Sequence, residues 1–292
     1  MRVWINGRAV APAKAKVSVL DHALLYGDSC FETLKSYHGK VFALKAHLDR
    51  LERSARHLHM PLPVTRHTLA QWMIRAAKSF PEQNARIRIM VTRGQGPISL
   101  DLSSCSKSIV LVIAEPLLES YERGQTRGIS TIISTVRKPH AATLDPQIKS
   151  GNYLTGVLAL HEGSLAGVPE VILLNLQGYV AEGSTSNVFM IKNRVLITPA
   201  LHSGILDGIT RHIVLKIAPT VGLKTLERLV KPKELFKADE VFFTGTVREI
   251  VPVLRINQKP IHNRSGQHFV PALHHAFKTC VEKEIRRARM LY

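Results

Sequence analysis

Two ionisable side chains near the middle of the 292-residue chain have the types and the spacing that could hold a planar cofactor. Lys149 lies just ahead of a helical pattern and beside the small residues Ser150-Gly151, which let a planar ligand approach closely. A lysine that is buried or near another cation can lose its proton and form an imine. Glu182 follows on a predicted strand. Most lysines and glutamates are ordinary surface groups, but this pair suggests a bound aromatic cofactor.

Two glycine-containing turns could bind an anion. Gly208-Ile209-Thr210 begins a predicted helix, where free backbone N–H groups and a hydroxyl favour a phosphate. Gly245-Thr246-Val247 follows a predicted strand and offers a second set of donors. Either turn alone is more often structural. Together with the lysine and the glutamate, they strengthen the case for a cofactor site.

The first half of the chain predicts an α+β unit. Residues 86–92 alternate, with Ile87, Ile89 and Val91 on one face, which is typical of a half-buried strand. Residues 115–128 follow neither the strand period nor the helix period and predict a linker. The other predicted elements are strands within 3–8, 17–20, 31–37, 41–43 and 109–114, and helices at 45–57 and 68–79.

The second half predicts an antiparallel sheet with helices. Leu154, Val157, Leu158 and Leu165 have helical spacing, and Gly167 is a C-terminal stop signal. The predicted strands are 129–136, 171–176, 179–182, 187–191, 195–198 and 239–244. Further helices are predicted at 208–218 and 270–290, the latter with core contacts from Ala272, Leu273, Ala276 and Val281.

Composition and charge exclude several classes of protein. Hydrophobic residues make up 45% of the chain and charged residues 21%, an ordinary globular profile. The net charge of +18 would attract anions, but the basic residues are scattered and no nucleic-acid motif is found. We therefore expect no specific nucleic-acid partner, but a surface that favours phosphorylated or carboxylated ligands.

The chain shows no sign of a membrane or a metal. No apolar run approaches the roughly 20 residues of a membrane span, and the N-terminus lacks the features of a signal peptide. Cys30, Cys105 and Cys280 match neither a disulfide framework nor a metal-ligand spacing. We expect a soluble, cytoplasmic protein without a metal site.

Five sequence blocks occur together in one order. They are HLDRLERSA at 47–55, IKSGNYL at 148–154, GYVAEGSTSNVF at 178–189, GILDGITR at 204–211 and FFTGTVREIVPV at 242–253. With these blocks the chain resembles the class IV (fold type IV) pyridoxal-phosphate aminotransferases. That group includes branched-chain aminotransferases, D-amino-acid aminotransferases and aminodeoxychorismate lyases.

The resemblance implies a role for each matching residue. Lys149 would form the Schiff base with pyridoxal 5'-phosphate and move the substrate proton, and Glu182 would pair with the pyridine nitrogen. Arg50 would bind the phosphate. The other cofactor-binding residues that the resemblance implies are Tyr153 beside the phenolic oxygen, Asn187 as a support for Glu182, and the phosphate ligands Ile209, Thr210 and Thr246.

The positions that would contact the substrate match the branched-chain enzymes in part. Tyr26 and Phe31 stand where those enzymes place aromatic walls, and Arg88 aligns with an arginine on the same strand. Arg86 replaces a tyrosine, and their Gly-Ile-Arg stretch becomes Thr-Leu-Lys at 33–35. The substrate-binding set that the resemblance implies is Tyr26, Phe31, Arg86, Arg88, Thr246 and Val247.

The D-amino-acid enzymes and the lyases match elsewhere. The EGSTSN stretch at 182–187 and Lys35 are closer to the D-amino-acid enzymes, but Phe31 replaces the tyrosine of their carboxylate trap. The RGQG stretch at 93–96 is similar to lyases and D-specific members. Arg86 or Arg93 would favour a substrate with a second carboxylate if its side chain points into the pocket, and strand alternation does not decide this.

Three hypotheses about function follow. The favoured one is a transaminase that exchanges an amino group between an L-amino acid of the branched-chain type and a 2-oxo acid such as 2-oxoglutarate. A D-amino-acid transaminase, or a lyase that releases pyruvate from aminodeoxychorismate, is the alternative. The third is a non-catalytic basic binding protein, which predicts no cofactor absorbance.

The resemblance also implies the architecture. It implies a two-domain α+β fold, with a small α/β sandwich-like domain and a larger domain that holds an antiparallel barrel-like sheet and helices. We place the small domain at 1–115, the linker at 116–128, and the large domain, with the Schiff-base lysine, at 129–292. A homodimer is implied, with loops from the partner closing the site.

Overall fold

The computed structural model describes residues 1–105, 107–263 and 265–288, which divide into two compact units. The first unit comprises Met1–Leu117, the short segment Ile148–Asn152 and the chain from Lys283 onward. The second unit comprises Leu118–Gln147 and Tyr153–Glu282. The segment that carries Lys149 thus groups with the first unit, whereas the sequence predicts it in the C-terminal domain.

The first unit is a six-stranded antiparallel sheet with helices on one face. The strand order is β2-β1-β6-β5-β3-β4. Its elements are β1 (Arg2–Ile5), β2 (Arg8–Val10), α1 (His22–Tyr26), β3 (Ser29–Tyr37), β4 (Lys40–Val41), α2 (Leu44–His57), α3 (Arg66–Lys78), β5 (Ala85–Thr92) and β6 (Ile109–Pro116).

The alternation of β5 sorts its side chains as predicted. Ile87, Ile89 and Val91 are fully buried in the core that α2 and α3 cover. Arg86 and Arg88 lie on the opposite face of the sheet. Residues 17–20, predicted as a strand, form no strand, because Val17 and Val19 are exposed and have no pairing partner among the described strands.

The second unit is a nine-stranded mixed sheet with helices. The strand order is β12-β11-β10-β13-β14-β7-β8-β9, and β15 pairs with β14. Its elements are α4 (Glu119–Arg127), β7 (Ile129–Arg137), α5 (Leu154–Leu165), β8 (Val171–Leu174), β9 (Val180–Gly183), β10 (Asn187–Lys192), β11 (Val195–Pro199), α6 (Ile209–Ile217), β12 (Lys224–Arg228), α7 (Pro232–Leu235), β13 (Glu240–Gly245), β14 (Glu249–Ile256), β15 (Lys259–Pro260) and α8 (Val270–Ala288) as far as Glu282.

The predicted α+β class is confirmed, and the strand pairing adds a detail. Three pairs in the second sheet are parallel, namely β7 with β8, β7 with β14, and β11 with β12. Long connections that contain α5 and α6 link β7 to β8 and β11 to β12, and such crossovers permit parallel pairing. The sheet is therefore not antiparallel throughout.

Two helices differ from the sequence-based predictions. Helix α4 occupies most of the predicted linker, and its sequence has no apolar period because Gln125, which is buried, is polar. The apolar stripe of α5 is exposed at Leu154, Val157, Leu158 and Leu165. Helix α5 instead buries Ala159 and Gly163. Gly163 packs so closely that a Cβ there would lie 2.7 Å from the side chain of Val171, so the contact requires glycine.

The C-terminal helix packs as predicted only in part. Leu273 and Val281 are buried in α8, together with Phe277, which was not among the predicted core residues. Ala272 is exposed, because Leu273, Phe277 and Val281 define the inward face at a spacing of four residues. Residues 289 and 290, the predicted end of this helix, lie outside the described residues. None of the described helices has both the length and the apolarity needed to span a membrane.

Candidate active site

Lys149 lies on a short segment that pairs with β3 in the first unit. The backbone N–H of Phe31 donates to the carbonyl of Lys149 at 2.9 Å, and Gly151 N–H donates to the Ser29 carbonyl at 2.8 Å. The N–H of Lys149 donates to the hydroxyl of Ser54 on α2 at 3.1 Å. Three hydrogen bonds therefore fix the backbone of the lysine on the first sheet.

The ring of Phe31 contacts two cations. The Nζ of Lys149 lies 4.7 Å from the ring centroid, and the guanidinium carbon of Arg88 lies 3.8 Å from it. Both distances are within the range of cation–π attraction. Phe31 itself is buried. The structure thus brings together three of the predicted site residues on one face of the first sheet.

Arg50 is held by a buried carboxylate. Glu32 on β3 accepts from the Nε of Arg50 at 2.7 Å and from its Nη2 at 2.8 Å. The Nδ1 of His47, one helical turn before Arg50, lies 2.7 Å from the same carboxylate. This paired geometry fixes the plane of the guanidinium. Glu32 and His47 were not selected from the sequence, because only the fold brings β3 against α2.

The ionisation of this cluster follows from its contacts. Burial raises the pKa of Glu32, but the charge and hydrogen bonds of Arg50 outweigh burial and hold that pKa well below its usual range. Burial lowers the pKa of His47, so the imidazole is neutral and donates its Nδ1 proton to Glu32. The cluster therefore combines one anion and one cation.

The other candidates in the first unit have different surroundings. Arg86 donates to Glu115 on β6 at 2.8 Å, and Arg93 is buried, with Asp28 and the carbonyl of Leu58 as partners. The sequence left open whether either arginine points into a pocket, and both are held by carboxylates. Tyr26 lies at the end of α1, where its ring makes an edge contact with His22.

Glu182 lies on β9 in the second unit and accepts three hydrogen bonds. The Nζ of Lys138 donates to its Oε1 at 2.7 Å. The side-chain amide of Asn187 and the backbone N–H of Leu206 donate to its Oε2 at 3.2 and 3.1 Å. Burial lowers the pKa of Lys138, but the charge of Glu182 outweighs burial and raises it. Lys138 is therefore a cation, and its Nζ lies directly against the Glu182 side chain.

Asn187 links Glu182 to the start of α6. Its side-chain amide also donates to the carbonyl of Leu206 at 2.9 Å, and a Cβ at Gly208 would clash with its side-chain oxygen. Helix α6 begins at Ile209 without a side-chain cap, so the N–H groups of its first turn suit an anion. Thr210 is buried in that turn.

The turn that carries Thr246 and Val247 is anchored from α8. It connects β13 to β14 and ends at Glu249, whose φ of 58° is unusual for a residue with a side chain. The buried carboxylate of Glu249 accepts from Lys278 at 2.9 Å and lies 3.1 Å from the Nε2 of His274. Two residues of α8, outside the five sequence blocks, thus hold the end of this turn.

These donors fit pyridoxal phosphate. The first unit contains the amine of Lys149 and an arginine oriented by a carboxylate. The second contains Glu182, whose oxygens accept from three donors and suit a protonated ring nitrogen, and the uncapped start of α6, suited to a phosphate. Tyr153 precedes α5 and interacts electrostatically with Lys138. Among the described residues, no cluster of three or more His, Cys, Asp or Glu could hold a metal.

Replacing Glu32 with Gln should destabilise the protein at pH 7 by about 3–5 kcal/mol, because the charge of Arg50 would be buried without an anion. A carboxyl whose pKa falls on folding contributes stability above its unfolded pKa of about 4.3 and loses that contribution as the pH falls toward the folded value. The deficit should therefore shrink below about pH 4. Urea unfolding at pH 7 and below about pH 4 measures the difference in unfolding free energy between the variant and the unmodified protein.

A matched control is Glu52→Gln on α2, the helix that carries Arg50, since Glu52 accepts from the partly exposed Arg66 at 2.6 Å. This pair should contribute at most about 1 kcal/mol. Equal losses of unfolding free energy in the two variants would show that the buried Glu32–Arg50 pair stabilises the protein no more than the partly exposed Glu52–Arg66 pair.

Comparisons with known proteins identify the family of this chain. The model of the family "Amino-transferase class IV" matches residues 29–256. The putative branched-chain-amino-acid aminotransferase of Methanocaldococcus jannaschii is 40% identical over 95% of this chain and 96% of its own. The aminodeoxychorismate lyase of Bacillus subtilis is 32% identical over 91% of this chain and 90% of its own.

A solved structure extends the similarity to the cofactor. The T.th. branched-chain amino acid aminotransferase, complexed with N-(5'-phosphopyridoxyl)-L-glutamate, has a TM-score of 0.87 and 31% identity. The alignment covers 96% of this chain and 93% of that one. The resemblance found in the sequence is therefore confirmed. This chain belongs to the class IV aminotransferases, enzymes that use pyridoxal phosphate to transfer amino groups.

Proposed function

We propose that the enzyme transfers the amino group of a branched-chain L-amino acid to a 2-oxo acid such as 2-oxoglutarate. The observation that carries the proposal is the contact of Phe31 with both Lys149 and Arg88. An aromatic wall beside the reacting lysine suits an apolar side chain, and an arginine on that wall suits a second carboxylate. A site with both can accept the two kinds of substrate in turn.

The position of Arg88 supports its choice among three arginines. Arg88 stacks on the same ring that the amine of Lys149 contacts. Arg86 is instead directed to Glu115, and Arg93 to Asp28. Arg88 is therefore the arginine that we assign to the second carboxylate, because it shares a ring with the reacting lysine.

The residues of the chain would divide the work as follows. Bound pyridoxal phosphate supplies an electron sink for the substrate Cα. Lys149 would hold and move the proton at that carbon. Glu182, held by Lys138 and Asn187, would pair with the ring nitrogen. The phosphate would be held by Arg50, by the first turn of α6 at Ile209 and Thr210, and by Thr246. The substrate carboxylate would be held by Thr246 and Val247, and Tyr26 would form an aromatic wall of the pocket.

A homodimer is the assembly that we assign to the enzyme. In the first unit, Val19, Leu24, Ile98 and Leu100 are exposed apolar side chains, and in the second unit the stripe on α5 is exposed. Exposed apolar groups of this extent typically mark an interface. A second copy of the chain would cover them, and sedimentation equilibrium measures the mass.

The lyase of Bacillus subtilis gives a reason to test a second function. The two activities differ in what they require, because a transaminase turns over only when an oxo-acid acceptor is present. We expect no turnover of L-leucine without an acceptor and continuous turnover with 2-oxoglutarate, measured by coupled assay of glutamate. Release of pyruvate from aminodeoxychorismate without an acceptor would instead identify a lyase.

Replacing Arg88 with Leu should raise the KM for 2-oxoglutarate by about 10–100-fold, because a hydrogen bond to a charged group is worth about 1.5–3 kcal/mol. The KM for 4-methyl-2-oxopentanoate, which has no second carboxylate, should change less than about threefold on the same scale. Steady-state kinetics with both oxo acids measure the two changes in KM.

The matched control is Arg86→Leu, two residues away on the same face of β5. This variant should leave both KM values nearly unchanged, since Arg86 is bonded to Glu115. Equal effects of the Arg86 and Arg88 variants, or an equal rise for both oxo acids, would contradict the assignment.

A further inference from the structure

The turn between β9 and β10 joins two residues of the proposed cofactor site. Glu182 is the last but one residue of β9, and Asn187 is the first residue of β10. The turn is closed by one backbone hydrogen bond, from Gly183 N–H to the Ser186 carbonyl at 2.6 Å. Any change in the turn therefore moves the carboxylate and its amide partner relative to each other.

The carboxylate of Glu170 lies at the centre of this turn. Glu170 immediately precedes β8 and is fully buried. Its oxygens accept from the hydroxyl groups of Ser184, Thr185 and Ser186 and from the N–H of Ser184, the last at 2.8 Å. A fifth hydrogen bond comes from Val171 N–H at 3.1 Å. Every hydroxyl of the turn is thus directed at one carboxylate.

The position of Glu170 is itself fixed. The hydroxyl of Thr131 on β7 donates to the backbone carbonyl of Glu170 at 2.8 Å. A buried carboxylate is costly unless donors compensate it, and the donors of this turn are all neutral. The turn can satisfy Glu170 only in a conformation that directs three hydroxyls and one N–H inward. The carboxylate and the turn therefore select one geometry together.

We propose that Glu170 is the positioning residue that sets the geometry of Glu182 and Asn187, and through Glu182 the protonation of the cofactor's ring nitrogen. The five hydrogen bonds of the Glu170 carboxylate go to the turn and to Val171, so Glu170 acts on Glu182 and Asn187 through the turn. The inference rests on the proposed role of Glu182. It also gives the Ser-Thr-Ser stretch a structural purpose, which weakens its value as a sign of a D-amino-acid enzyme.

The hydrogen bonds of Glu170 make it possible to remove its charge while the geometry of the turn is kept. Oε1 accepts from two backbone N–H groups, which cannot reverse their direction, and from the Ser184 hydroxyl. Oε2 accepts from the hydroxyls of Thr185 and Ser186, which can rotate and accept instead. A glutamine with its amide nitrogen at the Oε2 position would therefore preserve the turn without the charge. An alanine would not.

The experiment uses holoenzyme reconstituted with pyridoxal phosphate that is ¹⁵N-labelled at the ring. In Glu170→Ala, the ¹⁵N signal should move toward the unprotonated position, and amide exchange at residues 183–187 should accelerate at least about tenfold. The kcat should fall by about 10–100-fold, the range that a misplaced group can cost. In Glu170→Gln, the ¹⁵N signal should keep its position. The amide exchange rates and kcat should stay within about threefold of those of the unmodified protein.

The control is Glu162→Ala. Glu162 on α5 accepts from the Ser134 hydroxyl at 2.6 Å and from Thr135 N–H at 2.8 Å, so it is a similar cluster elsewhere in the second unit. Its loss should leave the ¹⁵N signal unmoved. If Glu170→Ala does not fold, Thr185→Val removes one donor to Glu170 at the same side-chain size and should shift the ¹⁵N signal and the exchange in the same direction.

Two outcomes overturn the proposal. A folded Glu170→Ala, or Thr185→Val in its place, with an unchanged ¹⁵N signal shows that the turn does not set the ring environment. A glutamine variant as damaged as the alanine variant shows that charge, not hydrogen-bond geometry, is the cause. Glu182→Gln, measured in parallel, distinguishes a failure of the role of Glu170 from a failure of the role of Glu182. If the ¹⁵N signal is unchanged in both the Glu170 and the Glu182 variants, both roles fail. If it moves only in Glu182→Gln, only the role of Glu170 fails.

Discussion

The compensation of buried carboxylates is the constraint on which both units depend. An uncompensated buried carboxylate would cost several kcal/mol, so each must be surrounded by donors that the fold supplies. Glu32 obtains them from Arg50 and His47, Glu182 from Lys138 and Asn187, and Glu170 from a whole turn. The groups that orient these carboxylates also orient the residues assigned to the cofactor.

The three carboxylates are compensated in different ways, and the difference matches their assigned tasks. Glu32 pairs with Arg50 in fork geometry, which fixes the residue that we assign to the phosphate. Glu182 lies beside a lysine, an arrangement that suits a partner for a protonated ring nitrogen. Glu170 is surrounded by the neutral donors of its turn, which suits a role in shaping the backbone.

Local patterns predicted much of the fold, whereas contacts between distant segments were beyond them. The alternation of β5 predicted its buried face, and the five blocks predicted the family. The roles of Lys149, Glu182 and Arg50 stay predictions. Lys138 and Glu170 were missed, because their roles appear only when β7, β8 and β9 lie side by side. The apolar stripe on α5 has the period of a core helix but is exposed. Periodicity predicts that these residues share one face of the helix, but it does not predict what that face contacts.

The central claim, that a wall of Phe31 and Arg88 beside Lys149 serves branched-chain L-amino acids, is tested most directly by a half-reaction. Holoenzyme is mixed with L-leucine, L-valine, L-glutamate or D-alanine without an acceptor, and the spectrum of the cofactor is followed. We expect rapid conversion to the pyridoxamine form with the three L-amino acids and none with D-alanine. Conversion by D-alanine together with an unchanged spectrum in L-leucine would contradict the account.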